Sequence, residues 1–112
     1  TIDNPKNSAG LYISYTMARL NKAGCVLKAA DAFKSLSLQF AFQKAKSALK
    51  PNILFEELVS HCKMLNSLYL THRIQENPEN QAMFNEKLAD LVLGVKILGM
   101  FPVEYVGKAQ EL

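Results

Sequence analysis

At 112 residues, 49% of them apolar and 21% charged, the chain has the size of one domain and a globular composition, which excludes wholesale disorder. No apolar run approaches the ~20 residues of a membrane-spanning helix, and two cysteines, Cys25 and Cys62, are too few for a disulfide scaffold. The net charge of +3 is uneven: residues 1–50 hold eight basic residues against Asp3 and Asp31, whereas residues 51–112 hold five against eight acids.

A basic half attracts polyanions through phosphate contacts and counterion release, though a solvated helix face has the same composition. Proline and glycine cut the chain into helical pieces, at Pro5, Gly24, Lys50-Pro51-Asn52, Asn77-Pro78 and Gly99 to Pro102. The first helix is expected to start at Ser8, an N-cap residue type, and to run past Leu27. Ile13, Met17, Leu20, Gly24 and Leu27 recur at helical spacing as its apolar stripe. Tyr12, Tyr15, Arg19 and Lys22 fall on a second stripe, roughly 140° round the helix at about 100° per residue, where aromatic and basic side chains interleave.

The piece from Asp31 to Leu49 is ambiguous. Leu36, Leu38, Phe40 and Phe42 alternate like a strand, while Phe42, Ala45 and Leu49 continue at helical spacing. A lone strand would have no partner, so a helix is expected. The third helix opens at Asn52, with Glu56 and Glu57 near its positive end, buries Leu54, Leu58, Cys62, Leu65 and Tyr69, and ends near Arg73. The fourth runs from Asn80 to Leu98 on Phe84, Leu88, Leu91, Val95 and Leu98, with Gly99 as its cap, and a short helix follows Pro102. The fold class is therefore all-α, an antiparallel bundle of four to five helices in a single domain over residues 1–112.

Catalytic chemistry is not visible. His61 and His72 stand roughly 16 Å apart along one helix at 1.5 Å per residue, too far to share a metal ion. The paired acids Glu56-Glu57 and Glu76/Glu79 have no partner that would split their pKa values. There is no phosphate-binding glycine loop, nucleophile elbow or zinc spacing, so no catalytic residue, metal or cofactor is expected. The cysteines read as buried reduced thiols, which argues for a reducing, cytoplasmic compartment.

Three motifs carry a resemblance. Asn7-Ser8-Ala9 leads into Tyr12-Ile13-Ser14-Tyr15-Thr16-Met17-Ala18-Arg19-Leu20. Gln39-Phe40, Ala45, Leu49 and Pro51 precede a helix with Leu65, Asn66, Leu68 and Tyr69. The chain closes on Gly94-Val95-Lys96-Ile97-Leu98-Gly99-Met100, Pro102 and Glu104. In this order the motifs resemble the DALR anticodon-binding domain of arginyl-tRNA synthetases, or a synthetase-like tRNA-binding paralogue carrying that domain. Ser14 departs from the family's glutamine, and Tyr105-Val106 stands where the family has Arg-Met.

The resemblance implies an anticodon-binding bundle from the C-terminal part of a larger protein, whose parent acts in protein biosynthesis as an arginine–tRNA ligase or a relative of one. It implies a tRNA partner, tRNA-Arg, gripped at the anticodon stem-loop by Tyr12, Tyr15, Arg19, Lys22 and Tyr105, along with contacts to other domains of the parent and none to a membrane. Tyrosine rings can stack on unpaired bases, and Arg or Lys can neutralise phosphates. The alternative expectation is a helical protein-interaction domain that keeps the fold without the RNA.

Overall fold

The computed structural model describes residues 5–101, with side chains from residue 9 onward. Four helices appear there: α1 (Pro5–Lys22), α2 (Leu36–Ala48), α3 (Pro51–Thr71) and α4 (Pro78–Leu98). The all-helical bundle expected from the sequence is present, and among the described residues there is no strand. The helix expected after Pro102 lies outside the described residues.

Local chemistry sets most of the boundaries. Pro51 and Pro78 begin α3 and α4, where the missing N–H costs nothing, and Asn77 caps α4 by accepting from the Glu79 N–H at 2.8 Å. The first helix starts earlier than Ser8, at Pro5, and stops at Lys22 rather than beyond Leu27. Gly24, at φ 114°, turns the chain out of the helix, so Leu27 lies exposed in an extended connection. The Asp31–Leu49 region is helical from Leu36 only; Leu38, Ala41 and Ala45 bury one helical stripe, which overrides the strand-like alternation. Gly99 does follow α4, but with ordinary right-handed geometry at φ −67°. Leu49 is the left-handed cap instead, at φ 54° after α2.

The packing is centred on α3, which touches α1, α2 and α4. Leu54, Leu58, Cys62 and Leu65 of α3 are fully buried together with Leu20, Leu38, Phe84, Leu88 and Leu91. On α4 the buried stripe closes with Gly94, whereas Val95 is exposed. A Cβ at Gly94 would overlap the Leu58 methyl groups, so the glycine lets the two helices approach.

The helix directions are mixed. His61 meets Lys87 and Tyr69 meets Phe84, so α3 and α4 are antiparallel. Along α1 and α3 the pairings rise together, Thr16 with Asn66, Arg19 with Tyr69 and Ala23 with Gln75, so these two helices run in the same sense. The expectation of a wholly antiparallel bundle is corrected by the connection from Ala23 to Ser35. It travels along α4, held successively by Gln81 to the Gly24 carbonyl, Asn85 to the Val26 N–H and the Ala89 carbonyl to the Ala30 N–H. The crossover ends where the Asp90 carboxylate accepts from the N–H groups of Lys34 and Ser35, each at 3.0 Å, fixing the start of α2.

Candidate nucleic-acid interface

The second stripe of α1 divides between the helix interface and the surface. Tyr12 is half-buried against the core, and its hydroxyl accepts from Asn66 Nδ2 at 3.1 Å. Tyr15 points outward with 55% of its surface exposed. Arg19 is half-buried: its guanidinium donates to Asn66 Oδ1 at 2.9 Å and lies over the Tyr69 ring, with Cζ 4.0 Å from the centroid. The Tyr15 ring flanks the same guanidinium, its centroid 5.7 Å away. Lys22 is exposed in the last turn of α1. Tyr105 lies outside the described residues.

Asn66 organises this group. Its amide also donates to Thr16 Oγ1 at 2.8 Å and to the Cys62 carbonyl at 3.0 Å, while the Thr16 hydroxyl donates to the Tyr12 carbonyl at 2.9 Å. Thr16 is fully buried, and such a network belongs in a core only because its members satisfy one another. Burial pushes the Cys62 thiol beneath it up to about 11, with a hydrogen bond to Thr16 acting the other way. Both cysteines are buried with free thiols.

Because α1 and α3 run in the same sense, their C-terminal ends open one cleft of about 550 Å³. Arg19, Lys22, Tyr69, His72, Arg73 and Glu76 line it. Arg73 and Glu76 stand 3.6 Å apart as a solvent-exposed pair, which holds Arg73 only weakly. Two helix C-termini bring partial negative charge to this end, and the cations partly answer it. Lys22, beyond the networked Arg19, and Arg73 extend into solvent and can meet an anion.

The histidines occupy different surroundings. His61 is buried in the α3–α4 interface with Nε2 2.9 Å from the Lys87 carbonyl, and desolvation holds its pKa below 6.5. His72 sits beside the Leu68 carbonyl and the Thr71 hydroxyl. Among the described residues no group of three or more His, Cys, Asp or Glu side chains gathers as a metal site, and no helix is long and apolar enough to cross a membrane.

Sequence reasoning placed Tyr15, Arg19 and Lys22 together but missed the contributions of Tyr69, His72 and Arg73. Tyr69 stood among the core residues, and nothing in local periodicity signals that its ring also receives an arginine from another helix. Compared with family models, curated proteins and solved structures, the chain matches none.

Proposed function

We propose that this domain is a tRNA-binding module that grips the anticodon stem-loop, with tRNA-Arg as the expected partner by resemblance. The observation that carries the reading is the meeting of Lys22, Arg73 and the networked Arg19 in one cleft beside the exposed ring of Tyr15. Cations that line a groove neutralise phosphates, and an adjacent exposed aromatic face stacks on an unpaired base. Arg19 fixes the orientation of the two flanking tyrosine rings, while Lys22, Arg73 and Tyr15 supply the contacts. Tyr12, turned into the α1–α3 interface, supports α1 from behind.

The test is fluorescence anisotropy of labelled tRNA-Arg and a non-cognate tRNA against the 112-residue chain, at low and physiological salt. The surface variants Lys22→Glu, Arg73→Glu and Tyr15→Ser are preferable to Arg19→Glu, which would bury a carboxylate against Asn66. Binding should weaken with salt and fall about tenfold or more in the double charge reversal, in line with the loss of two phosphate contacts and the gain of repulsion. Absence of binding at low salt, or binding that survives all three substitutions, rejects the reading.

A further inference from the structure

His61 holds one polar atom that the fold leaves unused. The Lys87 carbonyl can only accept, so the ring nitrogen 2.9 Å from it, Nε2, carries the proton. Burial favours the neutral ring, in which Nδ1 is then a bare acceptor. His61 is only 7% exposed, yet among the described residues no buried side-chain nitrogen or oxygen lacks a partner. Nδ1, to which nothing there donates, therefore reaches solvent. His61 lines a cleft of about 260 Å³, where α3 and α4 meet the start of α2. A lone pair on a ring held rigidly at such a floor calls for a donor from outside the fold.

Charge narrows the donor. The carboxylates of Asp90 and Glu57 act on the ring against the single ammonium of Lys87. Lys34 and Glu86 also line the cleft, but they stand 3.7 Å apart as an exposed pair and offset each other. The positive end of α2 contributes about half a charge, which leaves the sum at the ring negative. A cation bearing N–H groups therefore suits the site better than a neutral or anionic donor. Met64 adds an apolar wall for an alkyl stem. The volume falls below the roughly 300–1,000 Å³ of drug-sized sites, so it admits a headgroup and a short stem. A metal ion lacks ligands, because among the described residues no three His, Cys, Asp or Glu side chains gather.

We infer that this cleft binds a primary ammonium group on a short alkyl stem, with His61 Nδ1 accepting one of its N–H bonds and the Glu57 carboxylate, one helical turn earlier on α3, balancing its charge. The chemistry is the same whether the group belongs to a free amine or to a lysine side chain of a partner. The site is separate from the proposed tRNA cleft, and each can fail alone.

Long-range proton–nitrogen NMR of His61 in the 112-residue chain tests it directly. The probes are 1,4-diaminobutane, as a free amine, and an acetylated and amidated lysine peptide, as a protein side chain. At least one of them should move the Nδ1 resonance upfield saturably at neutral pH, and the probe that does so identifies the source. Affinity should fall several-fold in Glu57→Gln. It should rise in Lys87→Ala, which removes the opposing ammonium and keeps the backbone carbonyl that holds the ring; an unchanged unfolding midpoint verifies that the fold is retained. A proton on Nδ1 abolishes the acceptor, so binding should weaken from about pH 7.5 to about pH 5, where Glu57 and Asp90 as ordinary carboxylates still carry charge. No movement with either probe at millimolar concentration overturns the inference, as does the same movement with sodium acetate alone. Binding that is equal at both pH values, or indifferent to Glu57→Gln, also overturns it, because the amine then sits on surface carboxylates elsewhere.

Discussion

Arg19 of α1 donates to Asn66 of α3 across 2.9 Å, and the bond makes the arginine part of the helix interface as well as part of the cleft. Asn66 serves Arg19 with its carbonyl and Tyr12, Thr16 and the Cys62 carbonyl with its amide. Asn66→Ala removes the shared partner of all four and leaves the buried Thr16 hydroxyl to the Tyr12 carbonyl and the Cys62 thiol. The expected loss of stability is about 2 kcal/mol, the scale for orphaning buried polar groups. Arg19→Lys keeps the charge but not the planar fork over Tyr69, and should cost about 1 kcal/mol. Urea unfolding measures both, and near-wild-type stability of Asn66→Ala would show the network to be energetically idle.

Asp90 is 2% exposed, and its carboxylate caps α2 from another helix, accepting from the N–H groups of both Lys34 and Ser35. Side-chain caps are worth about 1 kcal/mol, and charge-assisted bonds to two amides are worth more. Asp90→Ala should therefore cost about 2–3 kcal/mol, because it also leaves two amides unsatisfied. Asp90→Asn keeps one acceptor oxygen and should lose about half of that. Native-state hydrogen exchange gives a localised readout: faster exchange of the Lys34 and Ser35 amides in Asp90→Ala than the global loss predicts. Uniform acceleration across α1 and α3 would instead make Asp90 a general core residue.

The helices were legible in the sequence, and their arrangement was not. Leu54, Leu58, Cys62 and Leu65 recur at helical spacing, and Pro51 and Pro78 mark two helix starts, so α3 and α4 follow from local rules. Leu36 to Phe42 alternated like a strand because Phe40 and Leu36 are apolar yet face outward, so periodicity alone left the segment ambiguous, and the lack of a partner strand pointed to the helix that is present. The parallel course of α1 and α3 depends on a crossover held by Gln81, Asn85, Ala89 and Asp90, polar contacts made more than fifty positions away in sequence. Arg19 and Lys22 were recognisable as a basic stripe, but their cleft forms only once the C-terminal end of α3 lies beside that of α1.

His61 gives the fold an acid-sensitive point. Burial holds its pKa below the ordinary 6.5, against the opposing effects of the Lys87 carbonyl and the charges of Asp90 and Glu57; the Lys87 ammonium acts with burial. Above the unfolded value near 6.5 neither state carries the extra proton, and the contribution to stability is fully present. As pH falls from there through the lower folded value, the unfolded chain takes up a proton first, and that contribution is lost. The urea midpoint should drop between about pH 7.5 and about pH 5, and drop less in His61→Gln, whose amide can still donate to the Lys87 carbonyl. Equal drops in the two proteins would place the sensitivity in the carboxylates common to both.

Leu49 offers a gain rather than a loss. The Leu49 N–H bonds the Lys46 carbonyl at 3.3 Å and the Lys50 N–H bonds the Ala45 carbonyl at 2.9 Å, closing α2 with a left-handed residue in the place where glycine is usual. A left-handed conformation costs an L-residue roughly 1–2 kcal/mol, whereas glycine adopts it freely at an entropic cost of about 0.5–1 kcal/mol. Leu49 is more than half exposed, so removing its side chain forfeits little burial. Leu49→Gly should therefore stabilise the domain by about 0.5–1 kcal/mol in urea unfolding. Leu49→Ala discriminates the cause, since alanine removes the same exposed side chain but keeps the strained backbone and should give no such gain. If alanine stabilised as much as glycine, the benefit would come from removing exposed apolar surface, and the cap would carry no strain.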